Sequence, residues 1–316
     1  MPIPDTLLAP HKLLRRAHLL LDFLAVAETG TIRSAAQRQH LSQSALTRRI
    51  QDLESGLGVE LFERHPHGMT LTKFGEALQH HAHLVGLTCD YAVGEINDLL
   101  GGGTGELRVA AGPAWVYELV PDAVAALQVR MPRVRIHLSS GLNETTLPML
   151  SEGRLDAVLG GLPPRQERDG RLVYEPLLEV EHRLFASRSH PLAGRSGLRP
   201  RDLADVLWIW FAESVTGRQF SSRWFERAGL TLPPPSVETS ALQAGFRLLQ
   251  AAQHVMLLPS TLTALAAQHG LAPLHTREPV GVYTSGLMYR ASVLRLQAFA
   301  GFRAQLQQRV EALDHP

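Results

Sequence analysis

The stretch TIRSAAQRQHLSQSALTRRIQDL, Thr31 to Leu53, reads as a short helix, a tight turn and a second helix. In the second segment Ala45, Leu46, Ile50, Leu53 and Leu57 recur at helical spacing and should pack inward, while Gln43, Ser44, Thr47, Arg48 and Gln51 fall together on the opposite face. Ser42 stands where an N-cap is wanted and Leu41 in the turn can plug the gap between the helices. The small pair Ala35 and Ala36 permits close helix approach. The pattern predicts a helix-turn-helix whose polar face fits a DNA major groove.

An ordinary helical hairpin with a wetted polar face would share the periodicity, so charge has to separate the readings. From Thr31 to Gln51 there are four arginines, Arg33, Arg38, Arg48 and Arg49, and no acidic residue, one sign of charge where phosphates would lie. Downstream, LESGLGVELFERHPHGMTLTKFGEAL (53 to 78) holds a glycine-punctuated turn, the Leu61-Phe62 pair and a short hairpin ending at Leu71-Thr72, the form of a wing. Thr72 should cap a long helix running toward Leu100 and ended by Gly101, Gly102, Gly103 and Gly105, a helix placed to dimerise.

In AVAETGTIRSAAQRQHLSQSALTRRIQDLESGLGVELFER, in LTKFGE after the wing and through the C-terminal half, the chain resembles the LysR-type transcriptional regulators, over nearly its whole length. The resemblance implies that the exposed face of the second helix reads DNA. The expected contact set is Arg33, Ser34, Ser42, Gln43, Ser44, Thr47, Arg48 and Arg49, with Arg64 and His67 from the wing. The sequence departs from the family pattern at Ser44, where proline is usual, and at His67 and Thr70, positions that are often basic.

The formal net charge is +1 with a pI near 8.1, far from the balance of strongly basic DNA binders. Met1 to Asp90 carry nine Lys plus Arg and nine Asp plus Glu, a formal charge of zero, and eight of the fifteen histidines, which would add positive charge at mildly acid pH. Modest non-specific affinity follows, so useful binding calls for two DNA-binding domains in one oligomer. The 29 arginines against two lysines, Lys12 and Lys73, are a compositional bias and not a nucleic-acid signal.

A single cysteine, Cys89, rules out a disulfide framework and reads as a small buried hydrophobe. Lys12, Arg15 and Arg16 before HLLLDFLAVA mimic a signal peptide, but Asp22 interrupts the apolar run, and Leu20, Phe23, Leu24 and Ala27 have amphipathic helix spacing. No run is long enough to span a membrane, and a bacterial cytoplasm is the expected compartment. Gly101 to Gly105 lacks the ending of a phosphate loop, and His65, His67, His80, His81 and His83 lack a ligand spacing for zinc. No metal, cofactor or catalytic constellation is expected, hence no enzyme activity.

From Gly105 short apolar runs alternate with helical segments: LRVAA at 107 to 111, VRIHL at 134 to 138, LDAVL at 155 to 159, then LLEVEHRLFAS, VLWIWF, HVMLLP and VYTSGLMYR. That alternation predicts a two-lobed α/β domain with its ligand in the cleft between lobes, at strand ends where helix N-termini expose free N–H groups. The expected organisation is an all-α winged helix-turn-helix over 1–75, ordered from about 17; a linker helix over 72–100; a glycine hinge at 101–105; and a periplasmic-binding-protein-like effector domain over 106–316. Lobe I is expected over 106–162 and 280–316, and lobe II over 163–279.

LRVAAGPAWVYELVP, SEGRLDAVLGG, EPLLEVEHRLFASRSHPLAG and AAQHVMLLPS are similar to the LysR effector domain, itself similar to periplasmic solute-binding proteins. The resemblance implies a small-molecule effector, a carboxylate by family habit, and maps its contacts onto Ala114 and Trp115, Leu142 and Asn143, Gly161 and Leu162. Ala114 stands where the family supplies a hydroxyl, and Trp115 either narrows the cleft, stacks on a planar ligand or packs in the core. Ser214, Thr216 and Ser240 are the candidates from lobe II.

Two classes of function are in play: a ligand-responsive regulator, and an α/β solute-binding or enzymatic protein with an accessory helical domain. The second leaves the arginine-bearing helix-turn-helix unexplained. The first implies double-stranded promoter DNA with an interrupted palindrome, self-association as a homodimer or homotetramer, and RNA polymerase if the protein activates.

Overall fold

The computed structural model describes residues 10–66, 68–100, 105–212, 215–251 and 253–314, which leaves His67, the glycine hinge at 101–104 and Ser214 outside the described residues. Two compact units divide the chain near residue 96.

The first unit contains α1 (Pro10–Leu14), α2 (Leu20–Thr29), α3 (Ile32–Arg38), α4 (Gln43–Leu57), the antiparallel hairpin β1 (Phe62–His65) and β2 (Gly68–Leu71), and α5 (Lys73–Leu99). Local chemistry sets each boundary. Gly30, at φ +69°, ends α2 in the left-handed region, and its N–H returns to the Val26 carbonyl. Thr31 Oγ1 accepts from the Ser34 N–H to start α3, and Ser42 Oγ accepts from Ala45 N–H to start α4. Phe23, Val26, Ala35, Leu46, Ile50 and Leu53 form the core beneath. Leu41 packs against it from the turn, half-buried, as its position predicted.

Glu54 ties the wing to α4, its Oε1 accepting the Leu61 N–H at 2.8 Å and the Phe62 N–H at 3.3 Å. The Met69 N–H donates to the Gly30 carbonyl at 2.7 Å, so the wing is docked by backbone onto the turn after α2. A Cβ at Gly68 would stand 2.7 Å from that same carbonyl, which explains glycine there. Thr72 caps α5, accepting from the Gly75 N–H at 3.1 Å and donating to the Glu60 carbonyl.

The second unit is one mixed sheet flanked by helices. Its elements are β3 (Glu106–Ala111), α6 (Pro113–Val116), α7 (Leu119–Arg130), β4 (Arg135–Ser140), α8 (Asn143–Ser151), β5 (Ala157–Gly161), β6 (Leu172–Ser187), β7 (Leu207–Phe211), α9 (Val215–Glu226), β8 (Val237–Thr239), α10 (Leu242–Gln250), β9 (His254–Pro259), α11 (Thr263–Gln268), β10 (Leu271–Pro273), β11 (Gly281–Arg290) and α12 (Gln297–Asp314).

Among the described residues the strand order is β4-β3-β5-β11-β6-β9-β7-β8, with β10 beside β6. The pairs β3–β4, β3–β5, β7–β8 and β7–β9 are parallel, as strand–helix alternation demands, whereas β11 runs antiparallel to both β5 and β6. The 16-residue β6 bridges both lobes. Residues 172–182 of it pair with β11, 182–185 with β9 and 185–187 with β10. Leu172 packs with Ala110, Leu150, Val158 and Met288 of lobe I, and the Glu175 carboxylate takes bonds from Arg303 and Gln307 of α12. Residues 172 to about 180 therefore sit in lobe I, where a boundary drawn at 162/163 had assigned them to lobe II. Chain continuity suggested that boundary; strand pairing overrides it. Inside lobe I the buried Asp156 accepts the Arg108 N–H at 2.7 Å and lies 3.8 Å from the buried Arg290 guanidinium.

Candidate DNA-reading surface and effector cleft

On α4, Gln43, Ser44, Arg48, Arg49 and Gln51 are exposed, with Thr47 half-buried, opposite a face on which Leu46, Ile50 and Leu53 are buried. The Thr47 hydroxyl donates to the Gln43 carbonyl at 2.8 Å, the backward bond of a helical threonine. Ser42 and Ser44 hydroxyls stand 3.1 Å apart, so Ser42 is occupied as a cap and by its neighbour. Arg33 and Ser34 are exposed at the start of α3, and Arg64 is exposed on β1.

The four arginines of the helix-turn-helix are not equivalent. Arg38 Nη1 lies 2.5 Å from Glu28, and Arg49 Nη1 lies 3.1 Å from Asp22, a carboxylate with 4% of its side chain exposed. Both carboxylates precede the stretch whose lack of acidic residues suggested a uniformly positive surface. Arg49 therefore neutralises a buried charge within the unit while 46% of its own side chain stays exposed. Arg33 and Arg48 are exposed and make no ion pair among the described residues.

In the second unit a cavity of about 80 Å³ opens between the lobes, several times the roughly 10–15 Å³ that one ordered water needs. Ala114 and Trp115 from α6, Leu142 and Asn143 at the start of α8, Gly161 at the end of β5, and Thr216 in the first turn of α9 all line it. Leu162 and Ser240 do not: the Leu162 N–H pairs with the Thr284 carbonyl and its side chain packs against the lobe I core, and Ser240 is exposed beside β8. Leu162 follows the cleft residue Gly161 in sequence, but its backbone and side chain are committed to lobe I.

Trp115 is fully buried, and its indole N–H donates to Ser285 Oγ at 2.8 Å, which donates in turn to the Gly160 carbonyl at 2.7 Å. A register shift between Ser285 and Gly286 re-aims β11 at this point. Of the three roles open to Trp115, the structure supplies the packed one: a fixed cleft wall with its polar atom already satisfied. Asn143 Nδ2 donates to the Gly161 carbonyl at 2.5 Å, pinning the α8 start to the end of β5.

His182 on β6, Phe211 on β7, Tyr283 and Ser285 on β11 and Leu257 to Pro259 on β9 complete the lining, and sequence reading had not singled out any of them. A histidine inside an otherwise ordinary strand was the one available signal. His182 is 8% exposed and packs its ring 4.9 Å from that of Tyr283. Desolvation lowers its pKa to about 4, so the imidazole is neutral at neutral pH, and its Nδ1 has no hydrogen-bond partner among the described residues. Burial pushes the Tyr283 hydroxyl up in the same way. No lysine or arginine lines the cavity among the described residues, and Glu144 stands in the first turn of α8, where its carboxylate offsets the helix dipole. Apart from the exposed Glu144 carboxylate, the cleft offers neutral donors and acceptors around apolar walls.

A winged helix-turn-helix joined through one long helix to a two-lobed sheet domain with a cleft defines a DNA-binding regulator that carries its own ligand-binding domain. Residues 18–76 match the bacterial regulatory helix-turn-helix protein, lysR family, and residues 100–311 match the LysR substrate binding domain. The chain belongs to the LysR family of DNA-binding transcriptional regulators. It is 29% identical over 210 residues to a RuBisCO operon transcriptional regulator of Allochromatium vinosum, covering 66% of this chain and 68% of that one. It is 27% identical over 278 residues to the regulator GbpR of Azospirillum brasilense, covering 85% and 80%. Full-length CbnR complexed with its target DNA has the same fold, with a TM-score of 0.64, 23% identity and coverage of 93% and 99%. Full-length OxyR from Pseudomonas aeruginosa gives a TM-score of 0.67 at 21% identity, covering 92% and 94%. Among the described residues no helix is long and apolar enough to cross a membrane, and no group of three or more acidic, histidine or cysteine side chains is arranged to hold a metal.

Proposed function

We propose that the protein works in the bacterial cytoplasm as a homo-oligomer that reads an interrupted palindrome in promoter DNA through Gln43, Ser44, Thr47 and Arg48, with Arg33 and Ser34 at the phosphates and Arg64 and His67 of the wing beside the groove. The observation that carries this reading is the exposed polar face of α4, where Arg48 keeps a free guanidinium while neighbouring arginines are spent on Glu28 and Asp22. Self-association through α5 is supported by Val93, Ile96 and Leu99, large apolar side chains 56 to 82% exposed at helical spacing. Two units held by such a helix would present two reading helices to successive major grooves.

The inter-lobe cleft is the effector site, lined by Ala114, Trp115, Leu142, Asn143, Gly161, His182 and Thr216. The lining supports a compact molecule with an apolar body and polar groups satisfied by neutral partners, in place of the carboxylate that family resemblance had suggested. Closing the lobes on it would shift the spacing of the DNA-binding units and, in an activator, contact with RNA polymerase.

The test is binding to the chain's own upstream DNA across a salt series, for the wild type and for Gln43→Ala with Arg48→Ala. The double substitution should weaken sequence-selective binding by about a hundredfold or more, since each base-edge contact contributes about 1–3 kcal/mol. Unchanged binding removes α4 as the reader.

A further inference from the structure

Lobe II carries a second concavity, of about 500 Å³, on the side where the turn at Pro200–Leu203, the end of α9 and the segment after β10 come together. Four arginines line it: Arg199, Arg201, Arg227 and Arg277. They come from three parts of the chain, and tertiary pairing brings them together. The Leu198 N–H bonds the His275 carbonyl and the Arg277 N–H bonds the Leu198 carbonyl, which sets Arg199 and Arg277 side by side.

Elsewhere in lobe II arginines are matched to carboxylates: Arg183 to Glu181, Arg195 to Asp202, Arg218 to Glu238. Among the described residues none of the four groove arginines has a carboxylate within ion-pair distance. Arg227 gives Nε to the Arg223 carbonyl, and nearby Asp202 is already taken by Arg195 and by the Arg199 backbone N–H. Glu278 is the one acidic residue in the lining. Below the guanidinium groups the buried Leu198, Pro200 and Trp224, with half-buried Leu230, supply an apolar floor.

Holding four guanidinium groups around one hollow costs mutual repulsion, and a bound polyanion relieves it. The guanidinium fork matches phosphate oxygens two at a time, and a concave surface of one sign concentrates small anions more than a flat one does. We propose that this groove is a second ligand site of the protein, separate from the inter-lobe cleft, and that it takes a phosphorylated small molecule, its phosphates on Arg199, Arg201, Arg227 and Arg277 and its body over the apolar floor.

Inorganic pyrophosphate is the probe, titrated calorimetrically into the full-length protein with sulfate at matched ionic strength as control. Saturable binding of pyrophosphate is expected. Arg199→Gln with Arg201→Gln and Arg277→Gln, all distant in sequence from α4, should weaken it about tenfold or more, and Glu278→Gln should tighten it about two- to threefold. Promoter DNA binding by the triple variant should stay at the wild-type level, so loss of the pyrophosphate site and failure of the DNA-reading assignment give different results. The proposal falls if pyrophosphate shows no saturable binding, if sulfate gives an equal response, if the triple variant binds pyrophosphate as the wild type does, or if it loses affinity for DNA, which would make the groove a nucleic-acid contact.

Discussion

On α4 the side chains expected to act lie within a few turns of one helix and stand in water, whereas the inter-lobe cleft draws its lining from α6, α8, β5, β6, β7, α9, β9 and β11, with His182, Trp115 and Ser285 buried. The first surface holds full charges, because phosphates are met in solvent where a guanidinium loses little hydration. The second holds a neutral histidine, a tyrosine and an indole already bonded to a serine, because burying an unpaired charge between lobes would cost several kcal/mol. The one carboxylate in the cleft lining, Glu144, stands on the exposed first turn of α8.

The largest expected effect tests the buried side. Trp115→Ala should remove about 3–5 kcal/mol of stability in a denaturant titration, as for other fully buried tryptophans. A loss below about 1 kcal/mol would make Trp115 a mobile lid and not a wall. On the wet side, Arg33→Ala with Arg48→Ala should lower promoter affinity about a hundredfold and reduce the salt slope by about two, with no change in unfolding midpoint. An unchanged slope would show that these two cations do not meet phosphate.

The pH dependence sharpens the contrast. His182 binds protons with a pKa of about 4 when folded against 6.5 unfolded, so below pH 6.5 the unfolded chain takes up more protons and stability is lost as pH falls from about 6.5 to about 4. The loss from this group should be about 2–3 kcal/mol, and His182→Gln should flatten that part of the stability curve. A curve identical in both proteins would place His182 in contact with solvent. The smallest effect is expected of Arg38→Ala. Its partner Glu28 is exposed, so stability should change by less than about 1 kcal/mol, and DNA affinity far less than with Arg48→Ala.

The caps of α4 and α5 were legible in Ser42 and Thr72 because a cap is made by a side chain and backbone three residues away, whereas the like cap of α3 by Thr31 was not singled out. The inward face of α4 was legible for the same reason, as were the strands at 106–111 and 207–211, whose apolar runs have few alternatives. The pairing of Arg49 with Asp22 was not, since 27 residues separate them and a charge count over one window cannot see a carboxylate outside it. Glu54 was not singled out in the sequence, yet it fastens the wing through two N–H groups.

In the cleft, Asn143 and Gly161 were reached through family resemblance, whereas His182 and Tyr283 were missed. Each lies in a strand whose register, including the shift at Ser285, decides which side chains face the cavity. What the sequence by itself determined was the winged helix-turn-helix, the long helix after it and the α/β character of the remainder, because periodicity, caps and glycine turns act over a few residues. What only the tertiary structure decided was which arginines stay free, which half of β6 belongs to which lobe and which groups meet in the cleft. Those outcomes depend on burial and on ion pairs between distant segments, energies that exist only after the chain has folded.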